Sequence, residues 1–82
     1  MNKTATEMFE ELEFRLIETK AYLVYESNDG GLITDYIFNK AFKRLEVKEY
    51  ELYNDSKPQG FTIYYVEHIK AITQQMKELG WL

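Results

Sequence analysis

"SNDGGLITDYIF", residues Ser27 to Phe38, decides the fold of this 82-residue chain. Asn28, Asp29 and Gly30 tolerate the positive φ angles that a tight hairpin demands, so an extended segment is expected on each side of them. "LITDYIF" (Leu32–Phe38) is the downstream strand, and "NKA" (Asn39–Ala41) reads as a second turn. In "FKRLEVKEYEL" (Phe42–Leu52), Lys43, Leu45, Val47 and Glu49 alternate with Phe42, Arg44, Glu46, Lys48 and Tyr50, an imperfect strand pattern. Upstream, "FRLIETKAYLVYE" (Phe14–Glu26) is rich in β-branched and aromatic residues and lacks helical periodicity. Its length exceeds that of a usual strand, so it is one long strand or two, over 14–18 and 21–27, with a turn at Thr19-Lys20. Every link between these segments is too short for a crossover helix, which leaves an antiparallel meander.

The two ends read as helices. Ala5, Met8, Phe9 and Leu12 recur at helical spacing behind Thr4 or Thr6 as N-cap, with Glu7, Glu10 and Glu11 on the other side. From Val66 onward, Val66, Ile69, Ile72, Met76 and Leu79 form the apolar stripe of the clearest helix in the chain. "NDSKPQG" (Asn54–Gly60) is a loop, and "FTIYY" (Phe61–Tyr65) adds a short last strand. Gly80 stands just past the last periodic residue, where a left-handed C-cap belongs, and Trp81 after it is placed to press back on the last turn. The expected architecture is therefore α+β: one domain over residues 1–82, an antiparallel β-meander of three to five strands, with the N-terminal and C-terminal helices packed on one face.

Together "TATEMFEELEF" (Thr4–Phe14) and "AITQQMKELGWL" (Ala71–Leu82) resemble the two ends of a group of small proteins encoded by phages and prophages of Gram-positive bacteria. Members of that group begin with a Met-Phe-Glu-x-Leu-Gly-aromatic stretch and end with Ala-Ile-x-x-Gln-x-x-Glu-Leu-Gly-Trp. Met8, Phe9, Glu10 and Leu12 match, whereas Glu13 stands where the group has glycine, so the turn into the first strand is expected to differ. The resemblance implies a phage-related origin and brings no functional residues with it.

Composition removes several classes of function. Without cysteine there is neither a disulfide framework nor a thiolate for zinc or nucleophilic chemistry, and a reducing cytoplasm, that of the bacterial host, is the expected location. No stretch reads as a secretory signal or a membrane span. Fourteen acids against ten bases give a net charge of −4, which repels phosphate and argues against direct nucleic-acid binding. His68 beside Glu67 does not make an acid–base pair, because neighbouring helical positions point about 100° apart; a solvated histidine is expected. Glu7, Glu10, Glu11 and Glu13 read as a wet helix face, the turn Asn28-Asp29-Gly30 lacks the further ligands of a calcium loop, and Gly30-Gly31 opens no phosphate-binding helix. No catalytic, cofactor or metal site is expected.

Aromatic residues make up 16% of the chain, seven of them tyrosine, more than so small a core can hide. Tyr22, Tyr25, Tyr36 and Tyr50 are the candidate partner-binding residues, on the sheet face away from the helices. The expected function is a non-enzymatic protein-interaction module or accessory factor whose partner is a host protein or a second copy of the chain. The alternative is an acidic nucleic-acid mimic or anti-defence inhibitor that occupies a basic groove of a host protein. Lysines and arginines interspersed among the acids favour the first.

Overall fold

The computed structural model describes residues 3–51 and 65–82. Its elements are α1 (Ala5–Glu11), β1 (Arg15–Glu18), β2 (Tyr22–Asp29), β3 (Leu32–Asn39), β4 (Arg44–Glu51) and α2 (Val66–Glu78). The four strands form one antiparallel sheet in the order β1-β2-β3-β4, the expected meander. The segment Phe14–Glu26 is two strands. Thr19 turns it, its amide bonded to the Tyr22 carbonyl at 2.9 Å and its hydroxyl accepting from the Tyr22 amide at 3.1 Å.

Two turns sit later than the sequence suggests. β2 continues through Asn28 and Asp29, and the hairpin falls on Gly30 and Gly31 at φ 62° and 97°, the pair of positive angles that a two-residue hairpin takes. Asn28 contributes its side chain, whose Oδ1 accepts from the Gly31 amide at 2.9 Å. β4 starts at Arg44, because the second turn occupies Lys40 to Lys43 and ends on Lys43 at φ 50°. The loop expected at Asn54–Gly60 and most of the strand expected at 61–65 lie outside the described residues.

Both helices cover the same sheet face. Cross-strand pairing puts Leu16, Tyr25, Tyr36 and Val47 in one row of this face and Glu18, Leu23, Phe38 and Leu45 in the next. Phe9 of α1 stacks on Tyr25 with ring centroids 3.9 Å apart, while α2 brings Gln75 to the Tyr25 hydroxyl at 2.5 Å and His68 to the Tyr36 hydroxyl at 2.9 Å. The helices are also tied to each other: Glu78 of α2 accepts from the Ala5 amide at 2.8 Å, one of the donors that the start of α1 leaves unpaired. Thr4 caps that helix and Glu7 completes the capping box.

The side of α2 that packs differs from the expected stripe. Ala71, Ile72 and Gln75 are buried, with Met76 and Leu79 beside them, whereas Val66 and Ile69 are exposed. Small Ala71 lets the helix approach the sheet, and Gln75 enters the core because Tyr25 supplies its hydrogen bond.

Each helix ends in the same motif. Gly80 is left-handed at φ 77°, its amide bonds to the Lys77 carbonyl at 3.0 Å, and the Trp81 amide bonds to the Met76 carbonyl at 2.8 Å. Trp81 is thereby pressed onto Phe38, with centroids 6.1 Å apart. At the end of α1, Glu13 takes the glycine's place at φ 68°, bonding to Glu10, and the Phe14 amide reaches the Phe9 carbonyl at 2.9 Å. The turn into β1 thus places a glutamate at a left-handed position. Glu13→Gly is expected to stabilise the protein by up to about 1 kcal/mol, and Gly80→Ala to cost about 1 kcal/mol. A Cβ at residue 80 meets nothing within 4 Å, so the second cost is one of backbone alone. Urea unfolding of the two variants checks the opposite signs.

Candidate interaction surface

The four candidate tyrosines divide between the two faces. Tyr25 and Tyr36 are 1% exposed in the core, which corrects their expected place on the far face. Strand alternation is the reason: Tyr22 and Tyr25 are three residues apart on β2 and must point opposite ways, and Tyr36 is the cross-strand partner of Tyr25. Burial raises the Tyr25 phenol above its ordinary pKa, in spite of its hydrogen bond with Thr6. Tyr22 and Tyr50 remain on the second face, Tyr22 the more exposed. Burial also raises the Tyr50 phenol, with Asp35 and Glu26 adding to the effect.

The second face carries no helix among the described residues and has two unlike ends. Near the β2–β3 hairpin, Ile33 is buried, and a charged row runs across the strands: Arg15, Glu26, Asp35, Lys48. Arg15 bonds to Glu26 at 3.3 Å. Asp35 is 8% exposed, its Oδ1 lacks a hydrogen-bond partner among the described residues, and burial followed by Glu26 pushes its carboxyl up to about 6 against some relief from Lys48.

Toward the other end the row Ile17, Val24, Ile37 crosses three strands, and Tyr22 stands beyond it. Here the β3–β4 turn projects Phe42, 74% exposed. The turn is held firmly. Asn39, itself buried, accepts from the amides of Ala41 and Phe42 at 3.1 Å each, and the Lys40 amide bonds to the Ala21 carbonyl of the neighbouring turn at 2.9 Å. The Arg44 guanidinium lies 5.9 Å from the Phe42 ring centre, and Lys40 pairs with Glu18 at 3.4 Å. The alternation of Phe42 with Arg44 and Glu46 places it in a strand when the sequence stands alone, whereas the structure puts it in the turn. The signal is present: a phenylalanine between Lys40 and Lys43, three residues after an Asn that favours turns, falls within the turn and not at a core position of a strand.

His68 is not solvated as expected. Its ring meets Phe14, Tyr36 and Tyr65 edge-on, its Nδ1 is bonded to the Tyr36 hydroxyl, and desolvation lowers its pKa against the opposing effect of Glu67. This is packing at the edge of the core. Among the described residues no group of three or more potential metal ligands converges, and no helix is long and apolar enough to cross a membrane. Comparison with family models, curated proteins and solved structures finds no match, so the functional reading rests on the chain's own chemistry.

Proposed function

We propose that this chain is a non-enzymatic protein-interaction module, an accessory factor of a phage or prophage, that grips its partner with Phe42 and the neighbouring Tyr22, Ile17 and Ile37. The observation that carries the reading is Phe42 itself, an aromatic ring 74% exposed on a turn that is fixed by hydrogen bonds. Exposed aromatic anchors on pre-ordered backbone lose little entropy on binding and supply a large share of interface energy. Arg44 lies against the ring, and Lys40 and Lys43 flank it in sequence, so a complementary surface would offer an apolar pocket with carboxylates at its rim that compete for these bases with Glu18 and Glu46. The acidic mimic of nucleic acid is the weaker reading, because Lys3, Arg15, Lys40 and Arg44 each sit within ion-pair distance of an acid and break up the negative field.

Phe42→Ser is expected to leave the melting temperature within about 2 °C of the parent, since a solvated ring adds little to folding. It is expected to weaken partner binding by about tenfold or more. Affinity capture from host lysate with the parent and the variant in parallel, followed by titration of the proteins that differ, makes the measurement. Capture of the same proteins with equal affinity by both would sink the assignment of Phe42.

A further inference from the structure

The second edge of the sheet points to a partner. Among the described residues β1 is an outer strand, bonded only to β2 within the sheet, and all four of its residues are exposed. Its middle is apolar on both faces: Leu16 is 36% exposed toward the helix side and Ile17 39% toward the other. Outer strands present unpaired amides and carbonyls to any extended chain, and proteins usually blunt them with charge. β4, the opposite edge, follows that practice with Arg44, Glu46, Lys48, Glu49 and Glu51 in eight residues. β1 has charges only at its ends, Arg15 and Glu18.

We infer that β1 pairs with β1 of a second copy, joining two sheets into one of eight strands about a two-fold axis. Such an axis stands normal to the sheet and keeps each face on its own side, so facing residues must share parity. The register Leu16 opposite Leu16 meets this condition, closing an apolar contact on the helix side and setting the stem of Arg15 over Ile17 of the other copy. The charges around the strand favour it. Antiparallel pairing brings the amino-terminal end of one β1 beside the carboxy-terminal end of the other, so Glu13 and Glu10 of one copy approach Lys20 of its mate. Glu10 and Glu13 already line an open groove there with Phe14, Arg15, Glu26 and Asn28, and Lys20 is exposed. The inference depends on the proposed function only for the class of partner, a protein, and uses a different surface from Phe42.

Four residues make a short interface, so the dimer is expected to be weak, with a dissociation constant of about 10–100 µM. Sedimentation equilibrium from about 5 µM to 1 mM spans that range on both sides. Leu16→Lys with Ile17→Lys is expected to raise the constant at least about tenfold, Lys20→Glu to weaken association, and Lys20→Glu combined with Glu13→Lys to restore it. Amide exchange of residues 15–18 should slow as concentration rises. If the double lysine variant does not fold by circular dichroism, the Lys20/Glu13 exchange decides. A parent chain that stays monomeric at about 1 mM overturns the inference. So does a dimer that survives the edge variants but is lost in Phe42→Ser, a result that would leave the proposed function standing.

Discussion

Replacing Phe9 by alanine is expected to remove about 3–5 kcal/mol of stability, the range for a large aromatic deleted from a core. The ring is fully buried and is the hub of the aromatic cluster. It stacks on Tyr25 at 3.9 Å and meets Phe14 at 5.6 Å, Tyr36 at 5.9 Å and Phe38 at 6.5 Å. It also holds α1, whose seven residues are too few to be helical alone. Domains are typically stable by only about 5–15 kcal/mol, so this loss is a large share of the total. Urea titration of Phe9→Ala beside the parent measures the loss. A difference below about 1 kcal/mol would mean that α1 is not anchored through this ring.

The second large effect is one of pH. Asp35 holds its proton in the folded protein up to a pKa of about 6, against 3.8 for the unsupported group, chiefly because it is buried and secondly because of its hydrogen bond and repulsion with Glu26. Between those two values the folded chain binds more protons at this site than the unfolded chain. Stability from this group is therefore greatest below pH 3.8, falls as pH rises to about 6, and is level above that. The loss at pH 7 is expected to be about 1–2 kcal/mol, below the full linkage value because Glu26 shares the titration and Lys48 offsets part of the charge. Asp35→Asn keeps the shape and removes the charge. Its stability relative to the parent should improve steadily from pH 4 to 6.5, and the comparison cancels groups that act the other way, such as Glu7, whose carboxyl is held low by the backbone amide of Thr4. Urea curves at half-unit pH steps give the slope, and parallel profiles for the two proteins would show that Asp35 ionises without penalty.

The sequence by itself determined the elements and their order, because those depend on neighbours along the chain. Gly30-Gly31 made a hairpin, Thr4 with Glu7 capped α1, Gly80 ended α2, and links too short for a crossover left the meander as the topology. Only the tertiary structure decided which side chains go inside. A one-residue change in where a strand begins moves its whole side-chain set to the other face, so the position of the turns, not tyrosine content, buried Tyr25 and Tyr36 and left Tyr22 outside. On α2, hydrophobicity alone favoured Val66 and Ile69, yet Ala71 and Gln75 pack because one is small enough for close approach and the other meets the Tyr25 hydroxyl. The exposure of Phe42 is part local and part tertiary. The Asn39 side chain accepts from the Ala41 and Phe42 amides, a turn that neighbours along the chain can make, and the pairing of Asn39 with Arg44 then fixes where β3 ends and β4 begins, which leaves the ring outside the strand.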